Sequence, residues 1–126
     1  MPRLMSVAFT EAAVRDRTKT VTRRKGWLFL KPGDRLTLCR KVMGRKKGEP
    51  LERICDVEIV SVRREPLNTL REYGNPRAEL AREGFPDLDV STFMQRYFVD
   101  AQGIGPHDQV TRIEWRYLDD EQGVAS

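Results

Sequence analysis

The sequence of 126 residues has little of what metal sites and disulfide frameworks require. It contains two cysteines, Cys39 and Cys55, and one histidine, His107, which lies far from both. No CxxC or HxxxH spacing occurs, so we expect no zinc site, no other metal and no cofactor. The two thiols are expected to be buried side chains rather than a disulfide. A single histidine also offers no Ser-His-Asp or Cys-His grouping.

Long apolar runs are missing as well. No run approaches eighteen apolar residues, so we expect no transmembrane helix and no membrane partner. Residues 1–17 lack the apolar core and small-residue cleavage site of a signal peptide. The length suits one domain, expected to be a cytoplasmic monomer, with a flexible polar tail at 119–126.

The charge is distributed unevenly along the chain. Residues 1–64 carry 17 Lys and Arg against 7 Asp and Glu, whereas residues 65–126 carry 6 against 12. A basic half favours a polyanionic partner, of which nucleic acid is the commonest. The alternative is a solvated surface on which the two signs interleave after folding.

Residue patterns predict an α+β chain. Strands are expected at 4–8, 20–24, 35–42, 52–64 and 109–118, and helices at 11–17, 76–83 and 90–99. The apolar face of 52–64 shifts by one residue, which predicts a bulge near Ile59–Val60. Short links between strands favour antiparallel pairing, so we expect a small, mixed, curled sheet or partly open barrel with helices packed on it.

The stretch RTKTVTRRKG, residues 17–26, is the first candidate for chemistry. On a regular strand, Thr20, Thr22 and Arg24 share one face. A partly buried Lys19 loses its proton more easily and can act as a base for the hydroxyl of Thr22. Arg24 can hold a phosphate or the O2 edge of a pyrimidine. The alternative is an exposed basic strand.

Glu83 is the second candidate. Asn75 and Pro76 predict a helix start and Gly84 a helix end, which makes Glu83 the last helical residue. A carboxylate there faces the negative end of the helix dipole, which makes it a candidate proton donor. The alternative is a surface glutamate. The apolar stripe of the following helix is expected to be core; it comprises Val90, Phe93, Met94, Tyr97 and Phe98.

The motif RTKTVTRR, followed by LKPGDRL, resembles the signature of the ASCH domain, a member of the PUA-like superfamily. Lys19, Thr22 and Arg24 fall on its Lys, acid-or-Thr and Arg positions, while Arg17 stands where the family usually has Gly. EGF, residues 83–85, resembles a second element of the family. The version KTVTRR is similar to small ASCH proteins of phages and prophages. The resemblance spans roughly residues 4–118 and implies a PUA-like β-barrel with a cleft beside its helices.

The resemblance implies two activities: RNA binding and, in one bacterial branch, hydrolysis of the acetyl amide of acetylcytidine. In that branch a Lys accepts the proton, a Thr is the nucleophile and a Glu donates a proton, which by motif fall on Lys19, Thr22 and Glu83. We therefore expect an RNA or modified-nucleotide binding module, with a metal-independent amidohydrolase as the alternative. An RNA nuclease and a phage protein that binds a host factor also remain open. The expected ligand contacts are Thr20, Arg23, Arg24, Arg45, Lys46 and Lys47.

Overall fold

Five strands form one mixed sheet in the computed structural model, which describes residues 3–118. The strands are β1 (Arg3–Ser6), β2 (Val21–Arg24), β3 (Arg35–Cys39), β4 (Arg53–Pro66) and β5 (Gln109–Tyr117). Their order across the sheet is β1-β3-β4-β5-β2. The chain is therefore α+β, as predicted, while the tail predicted at 119–126 lies outside the described residues.

Short helices occupy the connections between the strands. They are α1 (Glu11–Arg15), α2 (Pro76–Arg82) and α3 (Val90–Met94), with 3₁₀ turns at Ala8–Thr10 and Leu67–Glu72 and a π-helical turn at Gln95–Asp100 that prolongs α3. Asn75 caps α2, since its side chain accepts a hydrogen bond from the amide of Ala78. Asp89 caps α3 in the same way. Both predicted N-caps of the second half are confirmed.

The sheet curls into a half-barrel because the long strand β4 bends. The pairing of β4 with β5 shifts in register between Ile59 and Ser61, so Val60 is left out of the ladder. This confirms the bulge predicted near Ile59–Val60, and such a bulge increases the local twist of a strand. The first part of β4, residues 53–58, can therefore pair with β3, while the part from Val57 to Pro66 pairs with β5.

One strand pair differs from the antiparallel expectation. β1 runs parallel to β3, with Arg3 opposite Leu36, and the other pairs are antiparallel. A parallel neighbour requires a crossover connection. Here the crossover contains α1 and β2, and β2 itself joins the far edge of the sheet beside β5.

Two apolar clusters hold the domain together. One fills the concave sheet around Leu36, Leu38, Ile59 and Trp115, and α1 contributes Val14 to it. The other lies among the helices; its buried members are Leu67, Leu70, Leu80, Phe93, Met94, Phe98, Ile104 and Val110. The predicted apolar stripe of α3 belongs to this second cluster, which confirms it as core.

Gly84 follows the end of α2 and has a φ of +98°, in the left-handed region of backbone conformation. This agrees with its predicted position just beyond the helix. The same glycine lies against the turn before α1. A Cβ at Gly84 would stand 2.9 Å from Cγ2 of Thr10 and 3.3 Å from Cβ of Ala13. Glycine is therefore required twice here, by the backbone conformation and by the close approach of two elements.

The change Gly84→Ala tests this junction. We expect a loss of about 2–4 kcal/mol in the free energy of unfolding, because alanine is strained at this φ and its methyl group overpacks Thr10. Gly74→Ala is the matched control, since a Cβ there meets nothing within 4 Å. Urea unfolding measures both variants, and equal stability of the two would contradict the role given to Gly84.

Candidate functional site

A cavity of about 390 Å³ opens between β2, the turn before α1, the end of α2 and the α3 segment. One set of its lining residues is polar; we call it the polar group, and it comprises Lys19, Thr22, Arg23, Arg24 and Glu83. A second set consists of aromatic residues; we call it the aromatic group, and it comprises Phe9, Phe85, Phe93, Tyr97 and Phe98. The cavity thus combines hydrogen-bonding and charged groups with several ring surfaces.

Two hydrogen bonds to its backbone carbonyl hold Lys19 in place. Its carbonyl oxygen accepts a hydrogen bond of 3.1 Å from Nε1 of Trp115 and another from the hydroxyl of Tyr117. Burial raises the pKa of Tyr117 to about 12, so its phenol keeps the proton that it donates. Nζ of Lys19 donates to the carbonyl of Glu83 and lies 3.8 Å from Oε1 of the same residue.

Burial also changes the ionisation of Lys19. The side chain is almost completely enclosed, and this desolvation lowers the pKa of Lys19 to about 8. The carboxylate of Glu83 opposes the shift, while the positive charges of Arg24 and Arg23 add to it. An appreciable fraction of Lys19 is therefore neutral near neutral pH, and a neutral amine can accept a proton.

Thr22 is buried beside Arg24 on the same strand. Nε of Arg24 donates to Oγ1 of Thr22 at 3.1 Å, and Nη2 of Arg24 donates to the carbonyl of Ser6 at 2.8 Å. Because the threonine oxygen accepts the bond from Arg24, its own proton stays available for another acceptor. The adjacent guanidinium also favours negative charge on that oxygen.

Glu83 is fixed by a buried ionic network centred on Arg23. Nη1 of Arg23 donates to Oε2 of Glu83 at 2.9 Å, and Nη2 lies 2.8 Å from Oε2 of Glu79 and 3.2 Å from Oε2 of Glu65. Arg112 completes the network with Nε donating to Glu79 at 2.7 Å. Charges taken out of water are tolerated only when paired in this way.

The structure brings five of the nine predicted site residues to one cavity; they are Lys19, Thr22, Arg23, Arg24 and Glu83. Thr20 does not line it. The backbone of Thr20 instead joins β2 to its neighbours, since its amide donates to Arg82 and its carbonyl accepts from Trp115. Arg45, Lys46 and Lys47 are exposed in a loop that does not line the cavity, and their contact with a ligand stays a prediction.

Sequence reasoning missed two parts of the site. The three carboxylates around Arg23 come from β4, α2 and the residue after α2, and no local pattern indicates that they meet. The aromatic group was also missed. Phe93, Tyr97 and Phe98 were recognised only as core, and Phe9, which is 79% exposed, carries no signal beyond being an isolated aromatic residue.

Two further absences concern the residues that the structure describes. Between residues 3 and 118, no three His, Cys, Asp or Glu side chains are grouped so that they could hold a metal ion. Over the same range, no helix has the length and apolar character needed to cross a membrane.

No protein-family model matches the chain, and no curated protein matches it significantly. Solved structures do resemble it. Protein EF3133 from Enterococcus faecalis V583, described under the family model DUF984, is 12% identical over 94% of this chain and 80% of that one, with a TM-score of 0.58. Hypothetical protein PH0355 is 16% identical over 93% and 97%, with a TM-score of 0.52. At these identities the likeness shows a shared fold alone.

The ionic network predicts a dependence of stability on acid pH. Burial alone raises the pKa of Glu79, but the hydrogen bonds and charges of Arg112 and Arg23 outweigh it and lower the pKa from 4.5 to about 2. A carboxyl whose pKa is lowered by folding stabilises the protein above its unfolded pKa. We therefore expect stability to fall as the pH drops from 4.5 towards 2.

Urea unfolding at several pH values in this window measures the effect. Glu79→Gln should be less stable at neutral pH, because the buried guanidinium groups of Arg23 and Arg112 lose the negative charge with which they pair. Its stability should also change less with pH between 4.5 and 2. Glu72→Gln, at an exposed glutamate, is the control. A slope in Glu79→Gln as steep as in the unsubstituted protein would contradict this assignment.

Proposed function

We propose that the cavity binds one nucleobase-bearing ligand, either a free nucleoside or nucleotide or one nucleotide of an RNA. The observation that carries this proposal is the combination of the polar group and the aromatic group in one cavity of about 390 Å³. A nucleobase has ring faces that stack on aromatic side chains and edges that form hydrogen bonds. A phosphate or carboxylate alone would need the cations but not the rings.

The resemblance to the ASCH domain of the PUA-like superfamily supports the same proposal. Arg17 stands where that family usually has glycine, and Arg17 adopts φ +69°, a left-handed conformation that glycine adopts readily. The turn before Lys19 therefore has a backbone conformation that a glycine at this position would also adopt. The half-barrel with a cleft beside its helices agrees with the fold that the resemblance implies.

Phe9 gives a direct test of base stacking. Its ring is 79% exposed, lines the cavity and contacts the ring of Tyr97 at a centroid distance of 5.6 Å. We expect Phe9→Ser to weaken binding of cytidine about tenfold, because stacking of one base contributes ~1–3 kcal/mol. The free energy of unfolding should change little, since the side chain is largely exposed.

Calorimetric titration with cytidine measures the affinity. Met43→Ser is the matched control, because Met43 is 85% exposed and does not line the cavity. An unchanged affinity in Phe9→Ser, or an equal loss in both variants, would contradict stacking on Phe9.

Hydrolysis of an acylated cytidine is the second candidate function, favoured by the environment of Lys19. A lysine that only pairs with phosphate has no need of burial or of a pKa near 8. A lysine that takes a proton from a nearby hydroxyl does need both. Lys19, Thr22 and Glu83 line the same cavity, although they lie on two separate parts of the chain.

The reaction would proceed through an acyl-enzyme. Oγ1 of Thr22 attacks the amide carbonyl carbon while neutral Lys19 takes the hydroxyl proton. Because Nζ of Lys19 lies 3.8 Å from Oε1 of Glu83, the ionised carboxylate can receive this proton from Lys19. The C–N bond then breaks, and Glu83 delivers the same proton to the leaving nitrogen. Water then hydrolyses the ester on Thr22, which releases acetate and restores the hydroxyl.

The pH dependence of turnover tests this mechanism. With acetylcytidine as substrate, kcat/KM should rise as the pH passes through about 8, because Lys19 must be neutral to act as a base. Lys19→Met should abolish cytidine release, and Glu83→Gln should lower it by about 10²-fold or more. Chromatography of the released cytidine gives the rates.

Lys25→Met is the control for charge, since Lys25 is exposed on the same stretch of sequence and does not line the cavity. Release that persists in Lys19→Met would rule out this mechanism. Cleavage of a labelled RNA that depends on Lys19, without cytidine release, would favour a nuclease instead.

A further inference from the structure

The connection between β2 and β3 displays two apolar side chains to solvent. Leu28 is 69% exposed and Phe29 is 51% exposed. Their neighbours in sequence point the other way, since Trp27 packs against the core of the sheet and Leu30 is buried in it. Trp27 and Leu30, the first and last residues of this turn, therefore pack against the core, while Leu28 and Phe29 between them are exposed to solvent.

The turn is anchored to the sheet. Thr111 donates a hydrogen bond of 2.6 Å from its hydroxyl to the carbonyl of Gly26, and Arg64 donates one of 3.2 Å to the carbonyl of Lys25. Trp27 adopts φ +64°, which is unusual for a bulky residue and marks local strain. The exposure of Leu28 and Phe29 is therefore built into the backbone of the turn.

Cationic side chains border these apolar residues. The guanidinium of Arg3 lies 4.1 Å from the ring centroid of Phe29, whose ring is 5.4 Å from that of Trp27. Lys31 follows Phe29 by two residues and is exposed as well. We call this surface the aromatic-cationic patch; it comprises Arg3, Trp27, Leu28, Phe29 and Lys31.

The positive charges of the patch are not balanced by ion pairs. Across residues 3–118, no carboxylate forms an ion pair with Arg3 or Lys31. The carboxylate of Asp34 accepts a hydrogen bond from the backbone amide of Lys31 and does not pair with its ammonium group. Unbalanced cations beside exposed rings are the features that bind single-stranded nucleic acid.

The position of the patch relative to the cavity strengthens this choice of partner. Ser6 lines the cavity and Arg3 lies in the patch, and both belong to β1. Three residues of extended strand separate them by about 10 Å. We propose that the patch holds a single-stranded nucleic acid, and that the nucleotide in the cavity belongs to the same strand. The second clause rests on the proposed function, whereas the first does not.

Fluorescence anisotropy with a labelled single-stranded oligocytidylate, as RNA and as DNA, tests the patch, and calorimetry with cytidine tests the cavity separately. We expect the oligonucleotide to bind more tightly than cytidine and to lose affinity with salt. Phe29→Ser should weaken oligonucleotide binding about tenfold through lost stacking. Lys31→Gln should reduce the slope of log affinity against log salt by about 0.7. Neither change should alter cytidine binding.

The matched controls are Met43→Ser and Arg77→Gln, which remove an exposed apolar side chain and an exposed cation elsewhere. Circular dichroism shows whether each variant folds. Binding of either oligonucleotide that depends on the patch supports the proposal. Whichever of the two binds more tightly shows whether the strand held by the patch is RNA or DNA. Such binding without any binding of cytidine would overturn the proposed function and leave the patch in place.

Two results would overturn the proposal that the patch holds a single-stranded nucleic acid. The first is an oligonucleotide affinity that does not exceed that of cytidine or that is unchanged in Phe29→Ser and Lys31→Gln. The second is binding to anionic phospholipid vesicles that depends on Phe29, without binding to the oligonucleotide; this would make the patch a membrane-contact surface. Cytidine binding in either case would leave the proposed function standing.

Discussion

The buried guanidinium of Arg23 is the interaction on which the arrangement of the site depends. It ties β2 to the carboxylates of Glu65, Glu79 and Glu83, which belong to β4, to α2 and to the residue after α2. Removing buried charges from water is costly, and only close pairing offsets that cost. The helix end must therefore lie against β2, which in turn sets Glu83 beside Lys19. Gly84 allows this approach because it has no side chain to meet Thr10.

Local signals in the sequence were sufficient for much of the fold. The Asn75 and Gly84 caps bracketed α2, and the shifted apolar face of β4 located its bulge. Lys19, Thr22 and Glu83, which the resemblance to the ASCH domain groups, line one cavity, and their chemical roles stay a prediction. The signals that succeeded are those that act over a few residues, such as capping, glycine conformation and strand alternation.

What the sequence could not supply depends on distant parts of the chain. The parallel pairing of β1 with β3 follows from the route of the crossover, which no local pattern specifies. Arg23 lines the cavity, and its guanidinium is buried among three carboxylates contributed by other elements, a grouping that no local pattern specifies. Phe9 joins the aromatic group because the turn before α1 faces the π-helical turn after α3, where its ring meets Tyr97. These are consequences of tertiary packing.

A crystal structure of the protein soaked with acetylcytidine tests most directly whether the polar and aromatic groups of the cavity together hold a nucleobase. We expect the base against the ring of Phe9, with its acetylated amine directed towards Thr22 and Lys19. A base bound elsewhere on the protein, or a cavity that stays empty at saturating ligand, would contradict it.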